Sequence, residues 1–252
     1  MSGAEATELA EPAWSKERLN DPHAVADKRR RVQDMFAAIA RSYDLNNRIH
    51  SFGRDQAWRD AAVAMAAVRR SDAVADVACG TGDLALKFAA ATDGPVVGVD
   101  FTLPMLPLAA TKDRGHGVAW VNGDAQALPL ADASVDVVSI AFGLRNVADP
   151  AAAVAEFHRV LRPGGRLVVL EFTVPRNPLA RWGSRFYTDW LMPRTATLIS
   201  GDRSGAYRYL PRSVATFLDR AGVERVMREA GFDGVRSRSL TMGVAACYVG
   251  VR

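Results

Sequence analysis

Residues 73–83 read Ala73-Val74-Ala75-Asp76-Val77-Ala78-Cys79-Gly80-Thr81-Gly82-Asp83. An apolar run of strand length ends in a turn of small residues, and helical spacing begins at residues 84–90. Gly80 and Gly82 can take backbone angles closed to other residues and let a ligand approach the main chain. On their own the glycines require no more than a tight strand-to-helix turn.

Outward from this turn the alternation repeats. Short apolar runs at residues 96–99, 118–121, 135–140 and 167–170 read as further strands, and residues 103–110 and 151–161 as helices. Strands alternating with helices imply βαβ crossovers and an open parallel sheet covered on both faces. Pro163-Gly164-Gly165 marks a turn before the fifth strand. Beyond it lies a long non-strand segment rich in aromatics, residues 175–211, then a helix over residues 214–230 stopped by Gly231. Two late strands, residues 235–240 and 244–251, suggest an antiparallel edge. The expected fold is α/β: a doubly wound, mostly parallel seven-stranded sheet with an antiparallel edge strand.

Upstream, Val32, Met35, Phe36, Ile39 and Tyr43 recur at helical spacing, and a second helical stretch covers residues 55–68. Residues 1–27 contain few large apolar side chains and are expected to be a disordered or loosely attached lead. Residues 28–252 then form one domain, with N-terminal helices at 28–70 and a substrate-side insert at 175–211.

The bulk properties agree with a globular chain: 252 residues, 49% apolar and 24% charged. No apolar run approaches the roughly 20 residues needed to cross a bilayer. The polar, acidic start lacks the order of a secretory signal. Two cysteines, Cys79 and Cys247, make no disulfide framework, so a cytoplasmic location is expected. The net charge of +4 comes mainly from arginine spread along the chain, without the aromatic-interleaved basic stripe of a nucleic-acid binder. No nucleic-acid partner and no metal are expected.

Two cofactor chemistries fit the turn. Gly80-x-Gly82-x-x-Ala85, with Asp100 some twenty residues on, matches the dinucleotide fingerprint. Against a dinucleotide, Asp76 at the entry of the turn would repel a diphosphate but suit a ligand carrying an ammonium and a sulfonium. Asp100 can take both ribose hydroxyls, and Asp124, before Ala125, can accept from an adenine amino group. Acids at three successive strand ends would share one crevice at the carboxyl edge of the sheet.

The stretch from Gly123-Asp124-Ala125 to Asp132-x-Ser134-Val135-Asp136 resembles the third-to-fourth strand link of class I methyltransferases. Phe142-Gly143-Leu144-Arg145-Asn146-Val147 resembles the quinone-biosynthesis C-methyltransferases more specifically, as does Arg159-Val160-Leu161-Arg162-Pro163-Gly164-Gly165 with Glu171-Phe172-Thr173. Tyr43-Asp44-x-x-Asn47-x-x-x-Ser51 with Trp58-Arg59 is similar to a third signature of that family. Asn46, Asp55, Ala141 and Thr173 depart from the family's usual residues, and Ala78 stands where methyltransferases more usually have glycine. The resemblance implies S-adenosylmethionine as cofactor, with Thr81, Asp100, Asp124 and Ala125 at its site. It also implies methylation of a ring carbon of demethylmenaquinol, or alternatively of the ubiquinone-precursor benzoquinol.

Such a reaction needs a nucleophilic ring carbon. A phenol with a pKa near 10 is only about one part in a thousand ionised at pH 7, and a fixed cation beside its oxygen would raise that fraction. Arg145 is the candidate, its alternative being a structural arginine that binds carbonyls. Asn146 could hydrogen-bond the second oxygen, or cap the following turn. Tyr43 and Asp44 precede a loop that could fold over the site, or serve as a helix cap. In the insert, Trp182, Phe186, Tyr187, Trp190, Leu191 and Met192 share a helical side. Core packing is one explanation. The other is a wall for the prenyl tail, shared with Tyr207 and Tyr209, with Arg181, Arg185 and Arg194 meeting lipid headgroups. The expected partners are a prenylated quinol and, peripherally, the inner face of the cell membrane. Homo-oligomerisation stays open.

Overall fold

The computed structural model describes residues 14, 18–200 and 204–252, apart from the side chains of Ala180, Arg185, Phe186, Asp189, Leu191, Pro193 and residues 198–200. The expected roles of Arg185, Phe186 and Leu191 therefore lie outside the described residues, as does most of the lead.

Strands β1 (Val74–Val77), β2 (Val96–Asp100), β3 (Ala119–Asn122), β4 (Val135–Ala141), β5 (Leu161–Phe172), β6 (Asp233–Leu240) and β7 (Ala245–Val251) form one sheet in the order β3-β2-β1-β4-β5-β7-β6. The first five pair in parallel, and β7 runs antiparallel between β5 and β6. This is the mostly parallel sheet with an antiparallel end expected from the sequence.

Side-chain parity explains why these strands read as continuous apolar runs. Ala75, Val77, Val138, Ile140, Leu167 and Val169 pack on one face with Phe157 and Met227. Val74, Val137, Val168 and Leu170 pack on the other with Trp58, Ala62 and Phe88. The first face is covered by helices α6 (Pro150–Val160) and α10 (Arg220–Glu229), the second by α3 (Arg54–Ala66) and α4 (Asp83–Ala89). Between β1 and β4 the strand order reverses, and the carboxyl edge at such a point is where open α/β sheets bind ligands.

Two expectations are corrected here. The turn Pro163-Gly164-Gly165 lies inside β5: Leu161 already pairs with Val135, and the register then jumps to Arg166 opposite Val137. Gly164 permits the excursion with φ +77° and donates its N–H to the Arg252 carbonyl. The helix expected over residues 214–230 is two helices, α9 (Ala206–Thr216) and α10. Phe217 and Asp219 are extended, and the Asp219 carboxylate restarts the helix by accepting from the Gly222 N–H at 2.8 Å.

The segment expected to lack strands is helical, with α7 (Pro178–Phe186), a π-turn at Tyr187–Leu191 and α8 (Met192–Ser200). Helices α1 (Lys28–Ile39) and α2 (Tyr43–His50) precede α3, and α5 (Met105–Lys112) follows β2. Within the lead, Trp14 is fully buried with its ring 4.3 Å from Tyr209, and Leu19 is buried in the same cluster as Val32, Met35 and Ile39. Among the described residues of the lead, Trp14 and Leu19 thus pack against the domain.

Candidate active site

A cavity of about 770 Å³, open solvent at its mouth included, sits at the carboxyl edge beside the strand-order reversal. That size suits a ligand of nucleoside scale or larger. The polar end is made by the turn after β1 and the loops after β2 and β3. Gly80 faces the cavity with φ +55°, and a β-carbon there would meet nothing nearer than the Tyr43 ring at 3.8 Å. Asp100 is buried at the cavity wall, its two oxygens accepting from the N–H groups of Gly80 and Thr102, each at 2.7 Å. Burial pushes its pKa above the ordinary carboxylate value.

Asp124 and Ala125 line the same end. Asp124 accepts from the Gln126 N–H and pairs with Arg29 Nη2 at 2.9 Å. Arg29 also lies over the Phe101 ring, 4.6 Å from its centroid, while Gln33 donates to the Phe101 carbonyl. Helix α1 therefore roofs this end of the cavity. Its amphipathic spacing was legible, but nothing in the sequence marked Arg29, Val32 or Phe36 as cavity residues.

Three of the expected cofactor residues, Gly82, Thr81 and Asp76, do not themselves line the cavity. Gly82 turns away: with φ +84°, its missing β-carbon would lie 2.5 Å from the Trp120 ring, so glycine is required for packing. The Thr81 hydroxyl donates to Asp44 Oδ1 at 2.5 Å. Asp76 lies within β1, buried beside the turn and outside the cavity lining. Its Oδ1 accepts from the Ser139 hydroxyl at 2.6 Å, and its Oδ2 has no hydrogen-bond partner among the described residues. Burial raises its pKa to about 7, although the nearby Ser139 hydroxyl, Arg59 and Ala85 N–H oppose the shift. An open glycine face, a two-oxygen carboxylate at the wall and an orphaned buried carboxylate oxygen fit a cofactor with ribose hydroxyls and a cationic amino-acid end.

The cavity is also lined by apolar Val32, Phe36, Phe142 and Val147 and by two further polar groups, Tyr43 and Asn146. Burial raises the Tyr43 pKa, so its phenol stays protonated at neutral pH. Asn146 donates to the Phe142 carbonyl at 3.1 Å and accepts from the Tyr209 hydroxyl at 3.0 Å, which fixes its amide. Phe142 itself has φ +57°, a conformation costing about 1–3 kcal/mol that persists only where its surroundings enforce it. Its carbonyl also accepts from Arg145, and its N–H donates to Leu170. The neighbouring loops interlock: a β-carbon on Gly143 would lie 2.6 Å from that of Ala78, which has φ +52°.

Arg145 is not the free cation expected beside the acceptor. Its guanidinium is buried behind the wall, 2.7 Å from Glu171 Oε1, 2.6 Å from the Phe142 carbonyl and over the Phe172 ring. Glu171 compensates the charge, so Arg145 shapes the loop. Asp44 likewise faces the turn, joining Thr81 and Lys112 Nζ at 2.9 Å, with Lys112 also on Asp83. Lys28 ties α1 to the loop after β4 by donating to the Arg145 and Val147 carbonyls, at 2.9 and 2.6 Å, and burial lowers its pKa to about 8.

The model of the ubiE/COQ5 methyltransferase family matches residues 24–252. The chain belongs to this family. It is a methyltransferase, and S-adenosylmethionine is its methyl donor. A demethylmenaquinone methyltransferase of Deinococcus radiodurans is 45% identical over 89% of this chain and 93% of its own length. One of Thermus thermophilus is 47% identical over 86% of this chain and all of its own. Among solved structures, a Thermotoga maritima S-adenosylmethionine-dependent methyltransferase superposes with a TM-score of 0.62 at 20% identity, covering 87% of this chain and 99% of that one. That last likeness bears on the fold alone.

Proposed function

We propose that this methyltransferase methylates a ring carbon of demethylmenaquinol in menaquinone biosynthesis. The observation that carries the reading is one cavity lined both by Gly80, Asp100 and Asp124 and by apolar Val32, Phe36, Phe142 and Val147, with Tyr43 and Asn146 on the same wall. Its support is the family match and the relatives named demethylmenaquinone methyltransferase. When bound, S-adenosylmethionine supplies an electrophilic methyl group on a sulfonium.

The chain's own residues orient the partners. Asp100 takes the ribose hydroxyls and Asp124 the adenine amino group, with Arg29 yielding part of its hold on that carboxylate. The protonated Tyr43 phenol and the fixed Asn146 amide hold the quinol oxygens. The apolar walls around them exclude water and fix the ring carbon in line with the donor. The prenyl tail keeps the acceptor in lipid, so the enzyme meets it at a membrane surface. Among the described residues no helix is long and apolar enough to cross a membrane.

The deciding measurement is transfer of labelled methyl from S-adenosylmethionine to reduced demethylmenaquinol, run beside a demethoxyubiquinol-type acceptor. Label on the naphthoquinol is expected. Label on the benzoquinol alone would move the assignment to the ubiquinone precursor, in keeping with a relative named ubiquinone/menaquinone biosynthesis C-methyltransferase, and label on neither would refute it.

A pH dependence follows from Asp76. The cationic amino-acid end of the cofactor, seated on the turn in front of Asp76, favours the ionised form of this buried carboxylate, so binding below pH 7 must expel a proton. Cofactor affinity is expected to fall toward tenfold per pH unit below about 7 and to level off above it. The stability of the cofactor-free protein has the opposite sign. Between pH 3.8 and about 7 its folded form holds a proton that the unfolded chain releases, so stability declines as pH rises through that window. Calorimetry in buffers of different ionisation enthalpy should detect the proton released at pH 6; no release would remove Asp76 from the site.

A further inference from the structure

Among the described residues, the most exposed large apolar side chains are Met242 (80%), Phe52 (79%), Leu179 (77%) and Trp182 (69%). Scattered singly, such residues need no explanation. Contacts join the segments that carry these four into one rim. The Phe52 ring, just past α2, lies 5.7 Å from that of Tyr187, five residues beyond Trp182 on the same helical run. Arg181, next to Trp182, donates to the Pro175 carbonyl at 3.0 Å. Pro175 in turn backs onto Gly243, where an added β-carbon would lie 3.4 Å from its Cα, and Met242 precedes that glycine.

The rim belongs to the carboxyl edge. Helix α2 begins at Tyr43 in the cavity wall, and Met242 precedes β7, whose Ala245 pairs with Phe172 at the end of β5. Phe52 and Met242 both hold left-handed backbones, φ +53° and +55°, which side chains rarely adopt and which tend to mark functional surfaces. The charge is equally one-sided. Residues 174–200 contain four arginines against one aspartate, with no lysine or glutamate, and Arg176, Arg181 and Arg194 are exposed.

We propose that this rim is the protein's seat on an anionic lipid bilayer. Phe52, Leu179, Trp182 and Met242 enter the boundary between headgroups and acyl chains while the guanidinium groups meet lipid phosphates. A second copy seated there would set arginine against arginine, and a nucleic acid would leave Leu179 and Met242 without an apolar partner. The inference deepens the proposed reaction: with the cavity at the same edge, the quinol head reaches Tyr43 and Asn146 while its tail remains in the membrane.

The test uses the full chain with vesicles of phosphatidylglycerol and phosphatidylcholine, beside vesicles of phosphatidylcholine alone. Sedimentation with the anionic vesicles is expected, with a blue shift of tryptophan emission and weakening at high salt. A Leu179→Ser/Met242→Ser variant touches nothing in the cavity. It should bind these vesicles at least tenfold more weakly while methylating a tail-less quinol at the parent rate. Equal vesicle binding by parent and variant would overturn the seat, as would a parent that ignores anionic vesicles or a dimer that the variant dissolves. Vesicle binding by a parent that methylates no quinol would support the seat and refute the proposed acceptor instead.

Discussion

Arg145→Ala is expected to lower stability by about 3–5 kcal/mol, because it leaves the Glu171 carboxylate buried without its cation. For a chain of this size the melting temperature should fall on the order of 10 °C. The Phe142 carbonyl would lose its 2.6 Å donor, and with it one of the bonds that hold a left-handed backbone at the cavity wall. An Arg145→Met/Glu171→Leu double variant removes both charges and should recover most of the lost stability. Thermal melts of the two variants decide the matter. A single variant as stable as the parent but unable to turn over would return Arg145 to the acceptor and undo the structural assignment.

Asp100→Ala is expected to weaken binding of S-adenosylhomocysteine by at least about a hundredfold. Hydrogen bonds to a charged group contribute roughly 1.5–3 kcal/mol each, and two ribose hydroxyls would lose theirs together. The N–H groups of Gly80 and Thr102 would also lose their acceptor, loosening the loop geometry that the cofactor meets. Asp100→Asn should do little better. It keeps one oxygen but turns an NH2 group toward one of two backbone donors. Titration calorimetry measures the effect, and a melting curve checks that the variant is folded. Affinity within threefold of the parent would place the ribose elsewhere.

Much of this molecule could be read along the chain because its information is local. A strand buried on both faces is an apolar run, and the turn after β1 is written in consecutive residues. What escaped was set by partners distant in sequence. Glu171 lies 26 residues beyond Arg145, and no local pattern shows that one neutralises the other. Ser139 was only a polar residue in an apolar run until register placed it opposite Asp76. Arg29 belonged to the polar face of an amphipathic helix, which ordinarily means solvent, and only tertiary packing laid it over Phe101. The break in the expected helix over residues 214–230 was legible in principle, since Asp219 is a good N-cap three residues before Gly222. The apolar residues on both sides of it continued the helical period and concealed the stop.

The contact between Ala78 and Gly143 bears on how such a chain can change. The two positions together have room for one β-carbon, and here the turn that follows β1 holds it. A mutation enlarging residue 143 is strained unless residue 78 becomes glycine, and even then Ile140 crowds the new side chain at about 3 Å. The turn after β1 and the loop after β4 are therefore not independent in inheritance. Variation in one should be accompanied, among descendants, by compensating variation in the other.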